Sequence, residues 1–337
     1  LNFYKITPQG DVLDAEGHVL KNIEAQKTVL KSIRLESNQY LTDKNEIVEP
    51  FDFIFLISKI DSLDKDKIIA SAQFDISLEL NPNKIYLSYK DQFIIYTMSG
   101  VPALLSEQAQ DQLFDLADEF SDDEIIFNSK TYSTYAWMRQ DAGISDPDFW
   151  STRYQDKSTP WDLHEPSPAL VWALQKFKLP KLRVAVLGCG RGHDAFHFAS
   201  QGHKTTGFDF SPSALAEAEK LYGQNENLKW VQQDVFNLNA DYFEQFDLVF
   251  DHTLFCAVDP DKRQSLVKIW ERLLTEQGQI LGVFFTMPKL DGPPYGSTEG
   301  EIGHRLSAYF RTDFWMRSRV SAPSRMGKEL IVLATKV

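Results

Sequence analysis

Cysteine is nearly missing from this chain, with only Cys189 and Cys256 among 337 residues. Two thiols so far apart make neither a disulfide framework nor a zinc spacing, which sets the expectation of a reducing cytoplasm. Long apolar runs are missing as well. No stretch approaches the roughly 20 apolar residues of a membrane helix. The opening LNFYKITPQGD lacks the basic flank and apolar core of a signal peptide, so a soluble intracellular protein is expected. Positive charge is also scarce, with 35 Lys and Arg against 48 Asp and Glu, a net −13. Residues 1–140 hold −10 of this and residues 141–337 the remaining −3. Neither part offers an electrostatic footprint for a phosphate backbone, which excludes nucleic acid as a partner.

The apolar content, 43% of the residues, suffices for two ordinary cores. Up to about residue 97 the chain alternates short apolar runs with turn signals. Asp43-Lys44-Asn45 and Asn81-Pro82-Asn83 read as hairpin turns of a mostly antiparallel sheet. One helix is predicted from an Asn22 cap through Ile33, and a second from Ser106 to Phe120 with Leu113, Leu116 and Phe120 buried. No nucleophile–base pair, glycine cradle or metal-ligand cluster occurs in this part. The acidic run Asp118–Glu124 reads as a solvated helix end; a protein partner or a second copy is the alternative use of residues 1–140. Small and polar residues between Ser121 and Pro147 mark the boundary. The expectation is a smaller α+β domain over 1–140 and a second domain over 141–337.

The second part is organised around VAVLGCGRGHDAFHFASQGHKTTGFD, residues 184–209. Val184–Leu187 is a buried parallel strand by pattern, and Gly188, Gly190 and Gly192 follow it into a helix. Such glycines let the backbone turn sharply and present bare N–H groups to a ligand. A second strand ends at Asp209, about 20 residues beyond the first glycine, where an acid can accept both hydroxyls of a ribose. The spacing is G-x-G-x-G, without the third glycine that a pyrophosphate needs, which favours S-adenosylmethionine (SAM) over a dinucleotide. Further strands are predicted at Leu228–Gln232, Phe246–Phe250 and Gln279–Phe285, with a helix at Pro260–Leu274. Alternating strands and helices make a doubly wound sheet, whose ligands sit at the carboxyl ends of the strands. Asp209, Asp234, Asp251 and the Pro293-Pro294-Tyr295 turn all fall there.

Four runs, FWSTRYQDKSTPWD, VLGCGRGHD, FDLVFDHTLFCAVDPDKR and GPPYGST, resemble the thiopurine S-methyltransferase family, above all its thiol and halide methyltransferase branch. The resemblance covers about Asp148 to Val337. It implies a class I methyltransferase sheet with an antiparallel C-terminal hairpin, placed at about Met316–Ala322 and Glu329–Thr335. Trp150, Tyr154 and Trp161 would line the SAM pocket, and Gly188, with Gly190 beside it, would pack beneath the methionine moiety. Asp209 would hold the ribose, Asp234 and Val235 would flank the adenine, and Asp251 would face the sulfonium. His252 stands where relatives place a tyrosine or arginine.

His193-Asp194-Ala195-Phe196-His197 mimics the H-E-x-x-H zinc motif, but no third ligand is evident and helix packing is the better account, so no metal is expected. The expected acceptor is a small molecule with a soft nucleophilic atom: a thiol, a sulfide or selenium species, or a halide. His252 or Tyr295 would relay its proton. Two rivals stand beside this reading, an O- or N-methyltransferase of a small metabolite and a non-catalytic SAM sensor with a protein partner.

Overall fold

The computed structural model describes residues 3–64, 66–88, 92–120, 124–127, 129–133, 143–287, 289 and 292–337. It divides into two compact units, residues 1–140 with Thr298–Glu301, and Asp141–Ser297 with Ile302–Val337.

The first unit is built from strands. Phe3–Ile6 pairs with Val12–Leu13 on one side and runs parallel to Ile47–Pro50 on the other, and Gln39–Leu41 and Arg34–Glu36 complete a five-stranded sheet. Asp43-Lys44-Asn45 is the expected hairpin turn, closed by Asn45 N–H donating to the Thr42 carbonyl at 2.9 Å. Asn22 caps the helix Ile23–Lys31 through its side chain, also as expected. Beyond the sheet lies a closed five-stranded barrel of Phe55–Asp64, Lys67–Ala72, Ile76–Leu87, Phe93–Thr97 and Pro102–Leu105. Ile57, Ile68, Leu80, Ile85 and Ile95 fill it with no exposed surface.

Two expectations fail here. Asn81-Pro82-Asn83 is not a hairpin turn but lies inside the strand Ile76–Leu87, where the pairing jumps from Leu80 opposite Thr97 to Ile85 opposite Ile95. Proline has no N–H for the ladder, and a bulge tolerates that loss as well as a turn does. The helix expected to reach Phe120 stops at Leu116, and Glu119–Phe120 pairs instead with Ile125 and Ile126. Asp115, Asp118 and Glu119 crowd the negative end of the helix dipole with no basic residue in its last turn, which disfavours another turn. Leu116 and Phe120 are consequently exposed.

The second unit holds a seven-stranded sheet. Its strands are β1 (Arg183–Leu187), β2 (Lys204–Asp209), β3 (Leu228–Gln232), β4 (Phe246–His252), β5 (Leu274–Phe285), β6 (Phe310–Arg317) and β7 (Glu329–Lys336). They lie in the order β3-β2-β1-β4-β5-β7-β6, with β1 to β5 parallel and β7 antiparallel to both neighbours. The helices are α1 (Pro147–Gln155), α2 (Pro168–Phe177), α3 (His193–Ser200), α4 (Pro212–Tyr222), α5 (Leu254–Ala257), α6 (Arg263–Leu273) and α7 (Glu299–Ser307). Alternation along β1 sends Val184 and Val186 into one core with Ala169 and Leu170 of α2 and Phe198 of α3. Ala185 and Leu187 enter another, with Leu266 and Trp270 of α6. Both faces are therefore covered, as a parallel sheet requires.

The first strand of the final hairpin starts six residues earlier than expected, at Phe310. Phe310, Phe314 and Met316 supply its apolar pattern, and Met316 pairs with Ile331. The chain after Arg317 leaves the sheet towards the short helix Pro323–Arg325. No helix among the described residues is long and apolar enough to cross a membrane.

Candidate active site

The turn from β1 into α3 runs through Gly188 and Gly190 at φ of 59° and 53°, a region that side chains rarely enter. A Cβ on Gly190 would lie 2.7 Å from the Tyr154 hydroxyl oxygen, and one on Gly188 would press on Leu254 at 3.1 Å. Gly190 N–H donates to Asp209 Oδ2 and Ser211 N–H to Asp209 Oδ1, both at 2.9 Å. Asp209 therefore ties the glycine turn to the start of α4. Burial raises its pKa, and the backbone donors oppose that rise. Each carboxylate oxygen keeps a second lone pair, so the residue remains a bidentate acceptor.

Trp150 and Tyr154 project from α1, and Trp161 comes from the following loop. Trp161 lies edge-on to both, with centroids 5.4 Å from Trp150 and 5.9 Å from Tyr154. Trp161 Nε1–H donates to the Tyr154 hydroxyl at 3.3 Å, and Trp150 Nε1–H to the Ile144 carbonyl at 2.8 Å. A hydrogen bond of 2.9 Å between the Ser151 and Ser211 hydroxyls docks α1 on α4. The structure thus gathers all three aromatics beside the glycine turn.

Trp161 is fastened from two sides, and of the residues that do so only His193 stood out in the sequence. The neighbouring Asp162 carboxylate pairs with the Arg191 guanidinium and lies 3.1 Å from His193 Nε2. Burial works against that charge, but His193 and Arg191 outweigh it and hold the carboxyl well below the usual range. Arg191 also pairs with Glu217 of α4. On the other side, Arg325 donates to the Trp161 carbonyl. Asp162, His164 and His193 offer ligand atoms within 4.8 Å of one another, yet the Arg191 guanidinium already sits on that carboxylate. His197 lies outside this group, and His193 Nδ1 is 2.6 Å from the Tyr222 hydroxyl.

At the end of β4, Asp251 is fully buried. Its Oδ1 accepts Phe255 N–H at 3.2 Å, and its Oδ2 has no hydrogen-bond partner among the described residues. Burial lifts its pKa to about 7. His252 points the other way. Its Nδ1 lies 2.7 Å from Asp194 Oδ2, and its Nε2 faces Arg325 Nη1 at 2.6 Å, with Glu329 at 3.8 Å. Burial disfavours the charged ring, but Asp194 and Glu329 override it and push its pKa up to about 9. Arg325 can only donate, so Nε2 accepts from it in the neutral ring alone; in the cation that the raised pKa favours, Nδ1–H still donates to Asp194 and Nε2–H can turn only towards Glu329. The cation has no lone pair and the neutral ring spends its Nε2 lone pair on Arg325, so neither form offers a base to an acceptor.

Asp234 follows β3, next to Gln233, whose N–H donates to the Asp209 carbonyl at 3.1 Å. Its carboxylate caps its own turn, accepting Phe236 N–H at 3.0 Å and an Asn237 amide N–H at 2.9 Å. Val235 is half-buried in that turn. Tyr295 is buried, and its N–H donates to the Cys256 carbonyl at 2.6 Å, which brings it to α5, the turn after Asp251. Of the residues missed, Asp162 and Arg191 had a signal, since each adjoins an expected site residue within a quoted run. Arg325 and Glu329 had none, because only the fold carries the C-terminal hairpin to β4.

The family model of thiopurine S-methyltransferase (TPMT) matches residues 145–332, more than half of the chain. The chain belongs to this family. The match runs from just before α1 into β7 and includes every candidate residue above. Among similar proteins, "Thiocyanate methyltransferase 1" of Arabidopsis thaliana is 35% identical over 187 residues, 53% of this chain and 81% of its own length. A Legionella pneumophila "Thiopurine S-methyltransferase" is 26% identical, over 46% of this chain and 77% of its own. A solved Burkholderia thailandensis 1,6-didemethyltoxoflavin-N1-methyltransferase aligns over 66% of this chain and 99% of its own, at TM-score 0.49 and 22% identity. As a family member the chain is a SAM-dependent methyltransferase, and its residues fit that cofactor. Asp209 offers two acceptor oxygens at a strand end, the glycine turn leaves no room for side chains, and Asp251 buries one unpartnered carboxyl oxygen suited to a cationic ligand.

Proposed function

We propose that the protein transfers a methyl group from SAM to a small, soft nucleophile, a thiol or an inorganic sulfur, selenium or halide species. SAM supplies an electrophilic methyl carbon on a positively charged sulfur. In this reading Asp209 holds the ribose, and Asp234 and Val235 flank the adenine beyond β3. Gly188 and Gly190 make room for the methionine part, and Trp150, Tyr154 and Trp161 wall the pocket and keep water out. Asp251 offsets the positive charge with its unpartnered oxygen. Tyr295, brought to α5 by its backbone, stands on the acceptor side, in the loop that follows the last parallel strand of a class I methyltransferase sheet.

The observation that carries the acceptor class is the setting of His252, with the Asp194 carboxylate at one ring nitrogen and the Arg325 guanidinium at the other. With that imidazole withheld, an alcohol or amine finds no histidine base there. A thiol near pKa 8.5 is already a few per cent thiolate at neutral pH, and a halide has no proton to lose. The relatives named for thiocyanate and thiopurine methylation support the same class. His252 becomes a positioning group and Tyr295 the sole proton relay of the two expected. The first unit takes no part in the chemistry.

The test is release of S-adenosylhomocysteine (SAH) with thiols, iodide, selenols, amines and phenols. Thiols and iodide should turn over, and Tyr295→Phe should lower the rate with a thiol more than with iodide, by up to about 100-fold for a lost proton relay. Equal losses for both would leave Tyr295 a packing role. Rapid methylation of an amine or phenol with none of thiol or iodide would overturn the acceptor class.

A further inference from the structure

Arg263 opens α6 with no exposed surface, although it carries a full positive charge. A charge so placed requires partners, and the fold supplies carbonyl oxygens from two different segments. Nε donates to the Phe255 carbonyl of α5 at 3.2 Å. Nη1 donates to the Gly296 carbonyl at 3.0 Å and Nη2 to the Tyr295 carbonyl at 3.3 Å. The guanidinium also lies 4.6 Å from the centre of the Phe255 ring. One rigid fork thereby spans the turn after Asp251 and the segment that bears Tyr295. Tyr295 N–H closes the same junction on the Cys256 carbonyl.

We propose that Arg263 is the positioning residue of the acceptor side, fixing Tyr295 against the α5 turn so that hydroxyl and Asp251 keep one separation. This deepens the functional reading above and rests on its placement of Tyr295. A guanidinium is needed because its planar fork reaches three carbonyls on two segments at fixed angles, whereas an ammonium is a single point on a flexible stem. An error of about 1 Å in a group that faces the reacting atoms can cost on the order of 100-fold in rate. The hydrogen bonds above tie it to α5 and to the Tyr295 segment, so its loss should fall mainly on the acceptor step.

The test is Arg263→Lys in the full chain, with SAH affinity by calorimetry and kcat and KM for a thiol and for iodide. SAH affinity should stay within about threefold, while kcat/KM for the thiol falls by about tenfold or more. Adding Tyr295→Phe to Arg263→Lys should cost less than it does in the wild type, because the two act as a unit. Alkylation of Cys256 in the cofactor-free protein should speed up. Unchanged kinetics with every acceptor in a folded Arg263→Lys protein overturns the proposal, as does a parallel fall in SAH affinity and turnover. Where the lysine variant does not fold, Phe255→Leu, which removes the ring beside the guanidinium and keeps its charge, carries the same expectation and the same refutation. Failure of the functional reading looks different: the wild type then methylates neither thiol nor iodide, whatever Arg263→Lys does, whereas Tyr295→Phe with wild-type thiol turnover removes the Tyr295 relay and overturns this proposal with it.

Discussion

Asp251 has one oxygen supplied with a backbone N–H and the other with no partner among the described residues, in a place without exposed surface. Its pKa near 7 follows from that burial, and it gives two pH effects of opposite sign. In the cofactor-free protein the folded state favours the protonated carboxyl. Asp251 therefore contributes stability below its unfolded pKa of about 4, lost as pH rises through about 7. A cationic ligand prefers the carboxylate. The affinity advantage of SAM, whose sulfur is charged, over SAH, whose sulfur is not, should grow between pH 6 and pH 8 by up to about tenfold as ionisation rises from about a tenth to nine tenths. Titration calorimetry at both pH values checks this, with Asp251→Asn as the control that should lose the trend. A ratio that stays flat with pH in the wild type would take Asp251 away from the sulfonium. That Asp251 ends a strand was legible in FDLVFDH; that one of its oxygens lacks a partner was not, because burial and hydrogen bonding are properties of the packed core. His252 misled for the same reason, since a histidine after a strand looks available until Asp194, Arg325 and Glu329 arrive from three other elements.

The segment between α1 and α2 acts as a strap across the glycine turn. Its one aromatic, Trp161, is fixed by the Asp162 carboxylate on one side and by Arg325 on the other. Asp162→Asn keeps the shape and removes the charge that faces Arg191 and His193. Arg191 retains Glu217, so no guanidinium is stranded. We expect SAH to bind about tenfold more weakly, in line with the ~1.5 kcal/mol at the low end for a charge-assisted hydrogen bond. The change in tryptophan near-ultraviolet circular dichroism on SAH binding should shrink in parallel. Normal affinity with an unchanged dichroic signal would show that the strap stays in place without this ion pair. At this scale local pattern served well where elements are continuous, and β3 lies at its expected residues. It failed where a neighbour decides the outcome. Pro82 looks like a turn residue but is carried through a strand, and the hairpin's first strand was displaced because its pairing with β7 selects Phe310–Arg317.

The candidate site, from Trp150 through Arg325, lies wholly in the second unit, which has two apolar cores of its own on the two faces of one sheet. The parallel part of that sheet was legible because most of its strands are short apolar runs and β1, β2 and β4 are each followed by helix, a pattern written locally. The barrel of the first unit was not, since its closure joins Pro102–Leu105 to Phe55–Asp64, a pairing between distant segments that no local pattern announces. The charge is divided as well, with −10 of the net −13 in residues 1–140. These facts lead to the prediction that residues 1–140 supply no group to methyl transfer. A chain that begins at Gly143 keeps every residue assigned to cofactor and acceptor above. It should fold cooperatively and bind SAH within about threefold of the full chain, a difference of less than 1 kcal/mol. Circular dichroism and calorimetry read the two properties separately, which matters because the alternatives differ only in their combination. A folded shortened chain that no longer binds SAH would mean that the first 142 residues complete the site, and the first unit would then have to be counted as part of the enzyme.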